Sequence, residues 1–96
     1  MLVLVTYDVE TVSPKGQMRL RKVAKACMNY GQRVQNSVFE CVLDYSQFVR
    51  LKLELKGLMD EKHDSIRFYN LGNNYNTKVE TLGIKHGFNV EEELII

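Results

Sequence analysis

Several sequence features that mark other classes of protein are missing from this chain. There is one proline among 96 residues, with no low-complexity segment and no internal repeat, so we expect a single domain over residues 1–96. No apolar run approaches the length of a membrane span, so we predict no spanning helix. The apolar amino terminus lacks a basic flank and soon reaches Tyr7 and Asp8. We therefore expect no signal peptide, no membrane partner and a cytoplasmic location.

Cysteine and histidine are scarce as well. Cys27 and Cys41 belong to no CxxC pair and have no histidine at zinc spacing. We interpret them as small buried apolar residues of a protein from a reducing compartment. His63 and His86 lie in polar stretches, away from a convincing nucleophile, and we interpret both as surface residues. A nucleophilic mechanism that needs a histidine base is therefore disfavoured.

Acidic residues are missing from the whole stretch between residues 12 and 39. Such an electropositive patch is typical of proteins whose partner is a phosphate backbone. A solvated helix face is the alternative interpretation. The six basic residues of the stretch are Lys15, Arg19, Arg21, Lys22, Lys25 and Arg33.

The first eight residues organise the predicted fold. Residues 2–7 form a nearly continuous apolar run, which is typical of a buried strand in the middle of a sheet. Asp8 follows this run directly. Burying its carboxylate is costly unless a metal, a cation or several donors compensate. Asp8 either caps a turn or helix just outside the sheet or is held where a charge is needed.

A helix is predicted after this strand. Ser13 followed by Pro14 is a strong start signal, because the serine hydroxyl caps the helix and proline suits its first position. We expect the helix to reach about Tyr30, with Gly31 as a left-handed stop. Apolar side chains at helical spacing predict its buried stripe: Leu20, Val23, Cys27 and Tyr30.

Two strands, a second helix and a further strand follow. Residues 33–43 have strand character, interrupted by turn-forming residues at 35–37. Asp44 predicts the cap of a second helix, which we expect to end near Lys62. Residues 65–71 are predicted as the next strand.

This order, β-α-β-β-α-β, predicts an α+β protein of the ferredoxin-like type. Its four-stranded antiparallel sheet would have the first strand in the centre and both helices on one face. The open face favours a homodimer that covers it. The core would span residues 1–71, whereas residues 72–96 would form a loop, a short strand at 79–84 and a C-terminal extension. We expect this extension to be exchanged onto the sheet edge of a partner copy.

An acidic residue close to several cations favours metal-dependent phosphodiester cleavage. Carboxylates hold Mg²⁺, which activates water, while arginine or lysine holds the phosphate. One carboxylate makes a poor magnesium site, but a two-fold axis would bring two copies of Asp8 together. Glu10 and Asp44 are possible further carboxylates for this metal site. The alternative for Glu10 is a solvated charge in a loop, and the alternative for Asp44 is a helix cap.

Three segments of the chain resemble a known family. They are the strand end Val5-Thr6-Tyr7-Asp8, the basic Arg19-Leu20-Arg21, and Gly31-Gln32-Arg33-Val34-Gln35-Asn36-Ser37-Val38-Phe39-Glu40. In this order and spacing they are similar to the small nuclease-type proteins of CRISPR adaptation modules, the second of the two universal CRISPR-associated proteins. The resemblance covers residues 1–71.

The resemblance implies a ferredoxin-like homodimer whose last strand completes the partner's sheet. It also implies a Mg²⁺-dependent endonuclease acting on double-stranded DNA or single-stranded RNA, and a protein that bridges two dimers of the CRISPR integrase. The family's metal-binding aspartate corresponds to Asp8. The other family site residues correspond to Arg19, Arg21, Arg33, Ser37 and Phe39.

Three functional interpretations follow. In the first, the protein is a nuclease in which two Asp8 carboxylates hold one Mg²⁺ at the dimer axis. Three arginines, Arg19, Arg21 and Arg33, orient the phosphates, and Ser37 and Phe39 shape the pocket. Double-stranded DNA is the preferred substrate. In the second, the protein is a non-catalytic scaffold that binds duplex DNA through its basic helix and docks an integrase. In the third, it is a ferredoxin-like regulator that binds a small ligand. Only the third predicts DNA binding that is weak and insensitive to salt.

Overall fold

The computed structural model describes residues 1–84 of the chain. It confirms the predicted element order β-α-β-β-α-β. The C-terminal extension and His86 lie outside the described residues. The elements are β1 (Leu2–Asp8), α1 (Pro14–Met28), β2 (Gln32–Gln35), β3 (Val38–Val42), α2 (Tyr45–Leu58) and β4 (Ser65–Asn70).

The four strands form one antiparallel sheet in the order β2-β3-β1-β4, which confirms the central position of β1. Side chains alternate between the two faces of a strand. Val3, Val5 and Tyr7 of β1 are buried in a core that also contains Val23 of α1 and Leu51 of α2. Both helices therefore cover one face of the sheet, and the even-numbered residues of β1 point to the other face.

Helix α1 begins as predicted. Ser13 is its N-cap, and the serine hydroxyl accepts a 3.0 Å hydrogen bond from the backbone N–H of Gly16. Pro14 follows as the first helical residue. Val23 and Cys27 of the predicted stripe are fully buried.

The predicted left-handed stop at Gly31 is wrong. The helix ends at Met28, and Gly31 has no positive φ. The need for glycine here is steric, because a Cβ atom would run into the Glu40 carbonyl oxygen and would lie 2.8 Å from the Cα of Cys41. Gly31 therefore lets the end of α1 pass close to β3.

Helix α2 begins at a capping box formed by Asp44 and Gln47, which confirms the predicted cap. It ends at Leu58, four residues before the predicted end. The residues that follow turn instead of continuing the helix, because the Asp64 carboxylate accepts a 2.9 Å hydrogen bond from the backbone N–H of Asp60.

The short strand predicted at residues 79–84 is absent from the structure, so this prediction is wrong. Gly83 has a φ of 84°, which interrupts an extended run. Leu82 is 97% exposed and Ile84 is 79% exposed, so these side chains have no sheet to pack on within residues 1–84. Alternating apolar residues form a strand only where a neighbouring strand can pair with them.

Cys27 and Cys41 are both buried free thiols, as predicted. Burial raises the pKa of Cys27 to about 12 and that of Cys41 to about 11, so both are protonated and unreactive at neutral pH. Over residues 1–84, no helix has the length and apolar character needed to cross a membrane.

Candidate active site at the carboxyl end of the first strand

Asp8 is the last residue of β1, and its side chain lies on the sheet face that the helices leave uncovered. Its neighbour Tyr7 is buried on the helix side, whereas Asp8 is exposed. It pairs with Ser65 across the antiparallel ladder. Ser13, and not Asp8, caps α1. The structure therefore excludes Asp8 as the cap of α1 and places its carboxylate on the open sheet face.

A cleft of about 340 Å³ lies beside Asp8, over the paired strands β1 and β4. Arg67 and Tyr69 belong to the wall formed by β4, where the Nη1 of Arg67 donates a 3.3 Å hydrogen bond to the Tyr69 hydroxyl. The cleft thus combines a carboxylate, a guanidinium and several hydroxyl groups. Its lining residues are Thr6, Tyr7, Asp8, Ser65, Arg67 and Tyr69.

Asp8 fits a metal-binding role only in part. Its exposed carboxylate, which forms no ion pair within the described chain, is the kind of hard oxygen ligand that Mg²⁺ prefers. However, residues 1–84 bring no three histidine, cysteine or acidic side chains together at one point. Residues 1–84 of one chain therefore offer one carboxylate ligand at this point, and a second copy would supply another.

The two possible helper carboxylates are occupied elsewhere. Glu10 Oε1 accepts a 2.9 Å hydrogen bond from the backbone N–H of Ser13, and its Oε2 accepts one from the Ser13 hydroxyl. These bonds hold the pKa of Glu10 below its ordinary value. Asp44 caps α2, where its Oδ1 accepts a 2.7 Å bond from the Gln47 N–H. Neither carboxylate lines the cleft beside Asp8.

Four of the six predicted cations are exposed on α1 without an ion pair inside the described chain. They lie on the helix layer, so the sheet separates them from the Asp8 carboxylate. Their surface suits a phosphate backbone, because no acidic side chain of α1 neutralises it. These cations are Lys15, Arg21, Lys22 and Lys25.

Arg19 is held differently from the other cations of α1. Its Nε donates a 2.8 Å hydrogen bond to Oδ2 of Asp64, and its Nη2 donates a 3.3 Å bond to Oδ1. Its Nη2 also lies 3.9 Å from Oε2 of Glu10. The Asp64 bond raises the pKa of Arg19. Arg19 therefore joins α1 to the loop before β4, and its side chain is only 18% exposed.

Asp64 is the buried partner in this pair. Its carboxylate also accepts backbone hydrogen bonds from Glu10 (3.1 Å) and Asp60 (2.9 Å). Burial alone would raise the pKa of Asp64, but the bonds from Arg19 and the two N–H groups outweigh it and hold the pKa below its ordinary value. The ionised carboxylate thus links three segments of the chain.

Arg33, Phe39 and Tyr7 form a stack on the helix side of the sheet. The Arg33 guanidinium carbon lies 5.2 Å from the Phe39 ring centroid. The Phe39 and Tyr7 centroids are 6.1 Å apart with nearly parallel rings. Burial raises the pKa of Tyr7, while the nearby Arg33 guanidinium opposes that rise. Phe39 is fully buried and packs beneath Arg33.

Ser37 joins this group through its backbone. Its carbonyl oxygen accepts a 3.1 Å hydrogen bond from the N–H of Tyr7, and the Tyr7 hydroxyl donates a 3.3 Å bond to the carbonyl of Asn36. The structure therefore brings Arg33, Ser37 and Phe39 together around Tyr7. Tyr7 directly precedes Asp8 in the sequence, but this group and the Asp8 side chain lie on opposite faces of the sheet.

Three residues of this region had no place in the sequence-based prediction: Asp64, Arg67 and Tyr69. Asp64 gives no local signal, because nothing in its neighbourhood indicates that it is buried. Ser65, Arg67 and Tyr69 occupy alternate positions in β4, and that period of two indicates a shared sheet face. Finding that this is also the face of Asp8 required the strand register.

The chain matches the family model described as CRISPR associated protein Cas2 over residues 1–79. It is 64% identical over 95 residues to the CRISPR-associated endonuclease Cas2 of Halalkalibacterium halodurans, covering 99% of each chain. It is 55% identical over 96 residues to the CRISPR-associated endoribonuclease Cas2 of Chlorobaculum tepidum, covering all of both chains.

The fold agrees with solved structures. The crystal structure of Streptococcus pyogenes Cas2 at pH 6.5 is 61% identical and superimposes with a TM-score of 0.76, covering 86% of this chain and 100% of that one. A hypothetical protein from Thermus thermophilus is 34% identical with a TM-score of 0.72, covering 88% and 92%. Sequence and fold together place the chain in the Cas2 family of CRISPR-associated proteins.

Proposed function

We propose that this protein is a metal-dependent endonuclease of CRISPR adaptation, the acquisition of spacers, and that Asp8 holds its metal. The observation that carries the proposal is the position of Asp8, an exposed carboxylate at the end of the central strand, beside a cleft and without an ion pair among residues 1–84. Relatives named endonuclease and endoribonuclease support it.

The active form we propose is a homodimer with one Mg²⁺ site on its two-fold axis. The one carboxylate that residues 1–84 of each chain present at the cleft is too few for such a site, and the two-fold axis of a dimer would double it. The helix-free sheet face that carries Asp8 is the natural surface for the pairing. Exchange of the C-terminal extension between copies would complete the dimer.

The chain's own groups have separable tasks in this reaction. The exposed cations of α1 and Arg33 bind the phosphate backbone outside the Asp8 cleft. Arg19 fixes α1 against Asp64, and Ser37 with Phe39 shapes the support beneath Arg33. Asp8 holds the metal. A bound divalent metal would supply an activated water and compensate the negative charge that develops on the phosphate.

We propose double-stranded DNA as the preferred substrate, with single-stranded RNA as a second possibility, and the cytoplasm as the place of action. The names of the relatives include both endonuclease and endoribonuclease, which supports either polymer. Phosphate contacts have the same chemistry in DNA and RNA, so the basic surface alone does not select between them.

A second candidate function is a non-catalytic scaffold that holds duplex DNA and bridges CRISPR integrase dimers. The observation that favours it is the separation of the two surfaces, with the cations of α1 on the helix layer and Asp8 on the opposite sheet face. A surface that binds a duplex backbone does not need the Asp8 cleft. The two functions also fit one molecule, with one function on each surface.

The decisive experiment compares the wild type with Asp8→Asn on end-labelled duplex DNA and single-stranded RNA, with Mg²⁺ and with chelator. Asp8→Asn retains the size of the side chain and removes its charge. Circular dichroism checks that both proteins are folded, and a binding assay at several salt concentrations runs in parallel.

Metal-dependent cleavage by the wild type alone would support the nuclease and identify its substrate. Salt-sensitive duplex binding by both proteins without any cleavage would instead support the scaffold. Equal cleavage by both proteins would contradict the role of Asp8. Weak binding that does not respond to salt would contradict both functions and favour a small-ligand regulator.

A further inference from the structure

We propose that Arg67 binds the phosphate group that enters the Asp8 cleft, and that the Tyr69 hydroxyl positions its guanidinium. This inference rests on the proposed nuclease function and adds a substrate-binding residue to its site. It assigns the phosphate contact at the cleft to β4 rather than to α1.

The cations predicted from the sequence do not fill this role. Arg19 is engaged with the buried Asp64 carboxylate. Arg33 lies over Phe39, which faces the helices. The remaining cations are exposed on α1, across the sheet from the Asp8 carboxylate. A phosphate beside Asp8 therefore needs a positive group from another element.

The strand register places Arg67 on the same face as Asp8. In the β1–β4 ladder, Asp8 pairs with Ser65 and Thr6 pairs with Arg67. Arg67 is thus the diagonal neighbour of Asp8. Such neighbours have their Cα atoms about 7–8 Å apart, which long side chains can bridge. Both residues line the same cleft of about 340 Å³. A phosphate between them would meet the Arg67 guanidinium on one side and, on the other, the Asp8 carboxylate that would hold the metal.

The guanidinium of Arg67 is suited to this contact. In the single chain it is exposed, and it forms no ion pair within the part of the chain that the structure describes. Its planar array of five N–H donors matches two phosphate oxygens at once. Only Nη1 donates to Tyr69, over 3.3 Å, so the other donors stay available for a ligand. The Tyr69 hydroxyl limits the directions in which the side chain can point.

The first test measures single-turnover cleavage at saturating nucleic acid, using the substrate that the wild type cuts best. We expect Arg67→Gln to lower the rate about 100-fold, comparable to the loss of one donor to a developing negative charge. Arg67→Lys should restore part of the rate, since it returns the charge without the planar fork. Tyr69→Phe should lower the rate about tenfold with a smaller change in substrate affinity, because it removes one orienting hydrogen bond.

Arg50→Gln is the matched control. Arg50 is an exposed arginine of α2, so its replacement removes the same charge from the helix layer. We expect its single-turnover rate to equal that of the wild type. Equal losses in Arg50→Gln and Arg67→Gln would overturn the proposal, since they would indicate a non-specific effect of net charge.

A second test does not depend on cleavage. It measures duplex binding in chelator for Asp8→Asn, Arg67→Gln and the double variant. If one phosphate contacts Arg67 beside Asp8, removing the repulsive carboxylate should strengthen binding more when Arg67 is present than when it is absent. The effects of Asp8→Asn and Arg67→Gln on the binding free energy would then be non-additive. The effects of Asp8→Asn and Arg50→Gln should be additive.

The two tests separate failure of this inference from failure of the proposed nuclease. Wild-type cleavage with an unchanged rate in folded Arg67→Gln would overturn the role of Arg67 and leave the nuclease intact. No wild-type cleavage would refute the nuclease. The binding cycle then decides alone: coupling between Asp8 and Arg67 supports the phosphate contact, and additivity overturns it.

Discussion

The Nε of Arg19 donates a 2.8 Å hydrogen bond to Oδ2 of Asp64, whose side chain has no exposed surface. Asp64 directly precedes Ser65, the residue of β4 that pairs with Asp8. The ion pair therefore fixes α1 and the start of β4 relative to each other. Through Ser65 it also supports one wall of the cleft in which we place the phosphate.

Replacing Asp64 should destabilise the protein strongly. Asp64→Ala leaves the partly buried Arg19 guanidinium and two backbone N–H groups without their acceptor. Breaking a buried pair in this way is expected to lower the free energy of unfolding by about 3 kcal/mol. Urea unfolding followed by circular dichroism measures the change.

Glu61→Ala is the control for this variant, because Glu61 is an exposed acid of the same loop. It should change the free energy of unfolding by less than about 0.5 kcal/mol. Similar stabilities for Asp64→Ala and Glu61→Ala would contradict the anchoring role of Asp64.

The two arginines of α1 should separate into a stabilising and a binding residue. Arg19→Gln breaks the contact with Asp64, so it should lower the melting temperature. Arg21 is exposed and forms no ion pair within residues 1–84, so Arg21→Gln should leave the melting temperature unchanged. It should instead weaken duplex binding and reduce the salt slope by about one. Thermal melts and binding titrations at several salt concentrations measure both effects.

A melting temperature that falls equally in both variants would show that Arg21 also has a stabilising partner. Unchanged duplex binding in Arg21→Gln would show that the exposed face of α1 is a solvated surface, the alternative interpretation of its charge. Each variant thus serves as the control for the other.

The stability of the protein should fall slightly as the pH rises above neutrality. The hydrogen bond of His63 Nδ1 with Asp60 Oδ2, 2.9 Å long, raises the pKa of His63 above its ordinary value near 6.5. The folded state therefore binds the proton more tightly than the unfolded state does. The resulting stabilisation is fully present below the unfolded pKa and is lost as the pH rises through the folded pKa. The effect is small because both side chains are solvated.

Urea midpoints measured from about pH 6 to about pH 8.5 would reveal this dependence. His63→Gln should flatten the profile across that window, and the wild type and the variant should converge at its alkaline end. A midpoint that rises with pH in the wild type would have the wrong sign and contradict the assignment.

Local signals in the sequence were sufficient for most of the fold. Ser13 and Asp44 cap the helices as predicted, because capping depends on residues within one turn of the helix. The apolar run before Asp8 predicted a central strand, since only a strand covered by other elements needs so many apolar residues. The predicted end of α2 was wrong because the hydrogen bond from the N–H of Asp60 to Asp64 lies beyond the helical pattern.

The site was harder to predict because its parts are joined by long-range contacts. Arg19 has the same local pattern as Arg21, and only its distant partner Asp64 distinguishes the two. Likewise, the proximity of Arg67 to Asp8 follows from the register of two strands separated by more than fifty residues. Residue type and helical spacing therefore located the charged surface but did not show which cations share a face with the carboxylate.

Two glycines offer a last test of how the fold is packed. A side chain at Gly31 would collide with the backbone of Glu40 and Cys41 in β3, which cannot move without disturbing the sheet. Gly31→Ala should therefore lower the free energy of unfolding by about 2 kcal/mol. Gly57 lies within α2, and a Cβ atom at this position would find open space, with no neighbouring atom within 4 Å. Gly57→Ala should raise the free energy of unfolding by about 0.5–1 kcal/mol, because alanine favours the helix.

Urea unfolding measures the free energy of unfolding of both variants. The substitution, glycine to alanine, is the same in each, but the expected changes have opposite signs. If Gly31→Ala proves as stable as the wild type, the end of α1 can move away from β3, and the close approach inferred there is wrong. If Gly57→Ala is destabilised instead, α2 has a neighbour at that position beyond residues 1–84 or in a partner copy. Opposite signs would support both the steric role of Gly31 and the open surface at Gly57, since the added methyl group is the same in each.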